Sequence, residues 1–187
     1  MVVLRALLLL LTLLSAACNL TSDLPSHGLV ADFELTDQTG ATFKSKDQLT
    51  GKIWIADFFF TTCQGPCPRM SSQMRRIQEG LLDYPNIHLV SFTIDPKNDT
   101  PPALAEYAKR FKAQPGKWHF LTGPLPALHQ ISRYSMMLGD VDGSLQHSTR
   151  FVLVDQKSRI RGFYQSDEPG AIDRVIADAK TLTKERL

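Results

Sequence analysis

A nearly unbroken apolar run, Ile53-Trp54-Ile55-Ala56-Asp57-Phe58-Phe59-Phe60, is rich in β-branched and aromatic side chains and too short to span a membrane. Such a run predicts a central strand covered on both faces. Before it, Val30 to Thr36 and Ala41 to Ser45 alternate apolar with polar around Asp37-Gln38-Thr39-Gly40, which predicts a β-hairpin. After it, Met70, Met74, Ile77 and Leu81 recur at helical spacing and predict a helix whose apolar face meets the core. Asn86 to Ile94 is a second buried strand. Thr100 and Pro101 suit the N-cap and first turn of another helix, with Leu104, Tyr107, Ala108 and Phe111 inward. Trp118 to Leu121 is a short strand, Leu125 to Met137 a helix, and Asp140 to Gln146 a polar loop. Strands follow at Thr149–Val154 and Arg159–Tyr164. Pro169–Thr183 closes the chain as a helix with Ile172, Val175, Ile176, Ala179 and Leu182 inward.

Strands alternating with helices predict an α/β fold with a largely parallel central sheet flanked by helices. A β-α-β beginning, an N-terminal hairpin and a β-β-α ending follow the thioredoxin-like order.

The central strand runs into Thr61-Thr62-Cys63-Gln64-Gly65-Pro66-Cys67-Pro68. Gly65 and Pro66 mark a tight loop, and Pro68 suits a first helical turn, where its missing N–H costs nothing. An open α/β sheet places its chemistry at such a strand–loop–helix junction. Residues four apart on a helical turn lie about 5–6 Å apart at Cβ. Two thiolates at that spacing can share a metal or close a disulfide. A helix N-terminus lowers thiol pKa, which predicts two reactive sulfurs. The pair is therefore redox-active, metal-binding or both, and the three-residue spacer leans towards metal.

Most soft-metal sites need a third ligand. Of His27, His88, His119, His129 and His147, the last stands out, because it ends a polar loop directly before a strand. Met70, Met74, Met136 and Met137 read as core rather than as copper ligands.

The first seventeen residues read as an export signal: Arg5 supplies a positive charge, Ala6 to Leu14 an apolar core, and Ser15-Ala16-Ala17 small residues before Cys18. That pattern resembles a bacterial lipoprotein signal, with Cys18 as the lipidated first residue, although Ser15 and Ala17 also suit an ordinary signal peptidase. Residues 18–28 then read as a tether and 29–187 as one domain. The 187 residues carry a formal charge of +2, with no basic run interleaved with aromatics, which argues against nucleic acid as a partner.

Three segments occur in the order found in one known family. Phe60-Thr-Thr-Cys63-Gln-Gly-Pro-Cys67-Pro68 is similar to the F-x-x-C-x-x-x-C-P signature of the Sco/SenC copper-binding proteins. Asp95-Pro96-Lys-Asn-Asp99-Thr100-Pro101 resembles that family's D-P-x-x-D-T-P segment, and His147-Ser148-Thr149 its H-S-T segment. The signal and Cys18 imply a domain held by a lipid anchor on the outer or periplasmic side of a bacterial membrane, and the resemblance implies a thioredoxin-like protein that helps deliver copper to cytochrome c oxidase. It implies one copper, Cu(I) or Cu(II), per chain, held by Cys63, Cys67 and His147. The partner it implies is the copper-site subunit of cytochrome c oxidase or another copper carrier. Two thiolates and an imidazole suit Cu(I) and can hold Cu(II). Asp95 and Asp99 read either as turn and cap residues or as groups that orient the site from behind the ligands. Two other functions use the same cysteines. One is a thiol-disulfide oxidoreductase that reduces a partner copper protein through the Cys63–Cys67 pair, and the other a merely stabilising disulfide.

Overall fold

The computed structural model describes residues 22–185. The export signal and Cys18 lie outside the described residues. Seven strands form one sheet in the order β2-β1-β5-β4-β3-β6-β7. Strands β1 (Glu34–Asp37) and β2 (Thr42–Lys44) make the expected hairpin, joined through Asp37, whose carboxylate accepts from the Thr39 and Ala41 amides. The short helix α1 (Ser45–Gln48) follows. The central three strands, β3 (Ile53–Phe59), β4 (Ile87–Thr93) and β5 (Trp118–Thr122), run parallel. They are flanked by antiparallel neighbours, β1 on one side and β6 (Arg150–Val154) with β7 (Ile160–Gln165) on the other.

Side-chain alternation along β3 divides the core in two. Ile53, Ile55 and Phe59 face helices α2 (Pro66–Gly80), α3 (Pro101–Arg110) and α5 (Ala171–Leu182). Trp54, Ala56 and Phe58 face the opposite layer, built on Phe43, Leu49 and helix α4 (Leu125–His129). Met70, Met74, Ile77 and Leu81 are all completely buried. Burying each such side chain contributes about 1.5–3 kcal/mol, so this face alone fixes α2 against the sheet.

Three expectations need correction. Helix α2 begins at Pro66 with Gly65 at its N-cap, so Cys67 lies in the first turn and Cys63 in the preceding loop, not on the helix. The helix predicted over Leu125–Met137 is regular only to His129. Gln130–Ser135 then winds as a wider π-type turn that ends before Met137, whose φ is +54°. Finally, Ser22 to Gly28 lies against the fold: the His27 amide donates to the Ile160 carbonyl, and Arg161 grips the Leu24 and Pro25 carbonyls. A chain segment without apolar periodicity reads as a tether in sequence, yet backbone hydrogen bonds and one buried arginine fasten it. Among the described residues no helix is long and apolar enough to cross a membrane.

Candidate metal centre

The C-terminal end of β3 delivers the loop that carries Cys63, and Pro66 and Pro68 in the first turn of α2 set the position of Cys67. Because β6 runs antiparallel to β3, the residues that precede it arrive at the same end of the sheet. That topology brings His147 to Cys67 across 80 residues of chain, with Sγ and Nε2 3.3 Å apart. The other ring nitrogen, Nδ1, is 2.9 Å from the Ser148 carbonyl oxygen. A carbonyl only accepts, so Nδ1 carries the proton and Nε2 presents its lone pair to sulfur. Burial also lowers the His147 pKa, and its bond to Ser148 opposes that only in part. The ring is therefore neutral at pH 7, as a metal ligand must be. Phe60 sets its ring edge-on to this imidazole, 6.1 Å between centroids.

Both cysteines are free thiols, Cys67 buried and Cys63 half-exposed. The expectation of two acidified sulfurs fails at Cys67. Burial pushes its thiol well above the usual range, the hydrogen bond with Cys63 adds to the rise, and the Phe60 backbone bond offsets only part of it. Desolvation of the thiolate outweighs the helix terminus. Among the described residues, no three His, Cys, Asp or Glu side chains are already gathered into a metal cage. The Cys67–His147 pair is in place, with Cys63 on the adjoining loop. The donors, two sulfurs and one imidazole nitrogen, form a soft and open set.

The two aspartates do different things. Asp99, fully buried, accepts from the backbone amide and hydroxyl of Thr61 and from the Thr93 hydroxyl. It thereby ties the loop leading to Cys63 onto the end of β4. Asp95 accepts from the Asn98 side-chain amide at 2.7 Å, and its carbonyl accepts from the Asp99 amide at 2.9 Å, which shapes the turn that presents Asp99. Neither carboxylate hydrogen-bonds a sulfur or His147.

Among the described residues, the remaining histidines make no hydrogen bond with Cys63, Cys67 or His147. His27 packs its ring 5.2 Å from that of Phe163. His88 and His119 lie nearly parallel on the opposite face of the sheet, and burial lowers the pKa of both. His129 Nδ1 accepts from the Val141 amide. Met70, Met74 and Met136 are completely buried. Sequence reasoning missed a polar groove of about 540 Å³ beside His147, lined by Asp140, Asp142, Gln146, Arg150 and Gln165 among others. It also missed Asp57, a buried carboxyl on β3. An acidic residue within an apolar run was the available signal for the latter.

Comparison with known proteins is consistent with this arrangement. A putative copper-binding protein of Stutzerimonas stutzeri is 33% identical over 150 residues, which cover 74% of this chain and 70% of that one. The crystal structure of a SCO1/SenC family lipoprotein from Bacillus anthracis superposes with a TM-score of 0.76 at 31% identity, covering 87% of this chain and 98% of that one. BsSco, a member of the Sco family of cytochrome c oxidase assembly proteins with an identified disulfide switch, gives a TM-score of 0.74 at 26% identity, covering 88% and 98%. The SCO1/SenC profile matches residues 22–184. With that match spanning nearly all the described residues, the chain belongs to the SCO1/SenC family.

Proposed function

We propose that this protein binds one copper ion through Cys63, Cys67 and His147 and carries it to the copper site of cytochrome c oxidase or to another copper carrier. The observation that carries the reading is the 3.3 Å approach of a buried sulfur to a neutral imidazole nitrogen whose tautomer is fixed by Ser148. In the metal-free protein the Cys67 thiol donates to Nε2, and copper takes the place of that proton. Three ligands leave a coordination position free, so a partner's donor can enter before the metal leaves. The relatives' copper binding and oxidase assembly support the same assignment. Envelope location and lipidation at Cys18 belong to this proposal, supported by the lipoprotein relative. Intact mass of membrane-extracted protein tests the anchor: a mature chain starting at Cys18 without acyl mass points to ordinary secretion.

A second reading has its own support. Cys63 and Cys67 are free thiols that flank one strand–helix junction, four residues apart, as a redox dithiol needs. The chain then reduces a partner's cysteines rather than supplying copper. The two readings separate at His147, since thiol exchange needs only the sulfurs. The expected result for His147→Ala is a dithiol that still oxidises and reduces reversibly, with most Cu(II) affinity lost and oxidase assembly failing under limiting copper. Full oxidase activity in a strain carrying only that variant decides for reductase.

Asp99 acts on the site through the Cys63 loop. Asp99→Ala releases Thr61 and Thr93 while leaving every ligand present. A loss of about 10–100-fold in copper affinity is expected, the usual effect of removing a group that orients ligands. Unchanged affinity in a folded variant assigns Asp99 to the turn alone.

A further inference from the structure

Asp57 faces the helix layer from the middle of β3, between Ile55 and Phe59, which belong to the same buried cluster as Cys67. It is 1% exposed. Oδ1 accepts from the Ser91 hydroxyl at 2.5 Å, and Ser91 in turn accepts from Trp118 Nε1 at 2.9 Å. Oδ2 is buried without any hydrogen-bond partner among the described residues. The titratable groups that share its field are Cys67 on α2, Cys63 on the loop and Tyr107 on α3. On its other side β6 presents apolar Phe151 and Leu153 to this face. Among the described residues no salt bridge offsets its charge: burial pushes its pKa up to about 7, and the Ser91 bond opposes the rise only in part. A carboxyl whose second oxygen is desolvated and unbonded is poised to change protonation when a nearby charge changes.

Copper entry makes such a change. Both sulfurs must give up their protons to hold Cu(I), which leaves a Cu(I)–dithiolate of charge −1 where two neutral thiols stood. His147 cannot retain a proton from Cys67, because Nδ1 is committed to Ser148 and Nε2 is the metal's ligand. We infer that Asp57 is the proton store of the copper centre, its carboxylate taking up one proton as the metal replaces those of the two thiols. The inference rests on the copper reading of Cys63, Cys67 and His147. The step balances: Cu(I), two thiols and one carboxylate give Cu(I)–dithiolate, one carboxylic acid and one proton released to solvent. No electron moves. Two buried like charges are avoided, so Asp57 acts through the field and is a positioning residue rather than a ligand.

The test counts protons. Cu(I) alone is added to the reduced full chain in weak buffer, and Asp57→Asn, which keeps the acceptor for Ser91, is compared with the natural protein. Above the Asp57 titration, at about pH 8.5, the variant should release one proton more per copper. Below it, at about pH 6, Asp57 is already protonated and the difference should vanish. Copper stoichiometry should stay at one per chain in both proteins. Equal release at the higher pH overturns the proposal while leaving the copper site standing, whereas absence of copper binding in the natural protein overturns both. Infrared difference spectra of the natural protein need no variant: copper loading at the higher pH should create a protonated-carboxyl band, and no such band overturns the proposal.

Discussion

Arg161→Ala is expected to lower Tm by roughly 6–12 °C. Arg161 lies on β7 at the end of the sheet away from Cys63, with only 5% of its side chain exposed. Its guanidinium donates to Asp155 at 3.0 Å, to Glu185 at 2.8 and 3.0 Å, and to the Leu24 and Pro25 carbonyls. Glu185 is held at about 2, first of all by its bond from Arg161. Burial alone would raise Asp155, yet its bonds from Arg159 and Arg161 bring it below the ordinary range. Removing one partner of a buried pair costs about 3–5 kcal/mol, because the remaining charge stays buried. Arg159 still reaches Asp155 at 2.7 Å, which places the cost near the lower end. About 3 kcal/mol in a domain of this size corresponds to the stated shift in Tm. Arg159 is itself 36% exposed, so Arg159→Ala should cost no more than about 1 kcal/mol. Thermal melts of the two variants side by side check the argument, and equal shifts would show that burial of Arg161 is not the source. The same variant should free the segment Ser22–Pro25 to protease.

The elements that were legible in the sequence are those whose side chains answer to one local period. Met70, Met74, Ile77 and Leu81 repeat at helical spacing and are all buried, and the unbroken run from Ile53 marks a strand covered on both sides. Arg161 illustrates what local pattern leaves out. Within an alternating strand an arginine reads as solvent-facing, and only Asp155, Glu185 and the folded-back Ser22–Pro25 segment make its burial tolerable. Apolar spacing continued past His129, but it does not report which carbonyl each amide bonds, so the π-type turn was not visible. Spacing gave the Cys63–Cys67 pair, since the two are close in sequence. The meeting of Cys67 with His147 depends on β6 returning antiparallel beside β3, which no local pattern encodes. His147 stood out only through its loop and through resemblance to a family. The thiol expectation failed for a related reason: a helix terminus is visible in sequence, but the burial that overrides it at Cys67 is a property of the assembled core.

The two cysteines should separate on substitution, because one is buried beside His147 and the other is half-exposed on a loop. Either Cys63→Ser or Cys67→Ser removes a sulfur donor, and copper affinity should fall by more than about a hundredfold, beyond what loss of an orienting group produces. Cys67→Ser leaves a hydroxyl that can still donate to His147 Nε2, so the fold should persist without the metal site. Cys63→Ser instead leaves a sulfur and an imidazole 3.3 Å apart, and this variant should retain the stronger residual binding of the two. Alkylation provides a readout that does not involve copper. Only thiolate reacts, and each unit by which a thiol pKa is raised removes about nine-tenths of the thiolate. The buried Cys67 thiol is pushed far up, whereas Cys63 is open to reagent. The Cys63 thiol of Cys67→Ser should therefore react at least about tenfold faster at neutral pH than the Cys67 thiol of Cys63→Ser. Equal alkylation rates would show that burial does not protect Cys67. Undiminished copper stoichiometry in Cys63→Ser would remove Cys63 from the site and leave Cys67 and His147 without the third ligand proposed for them.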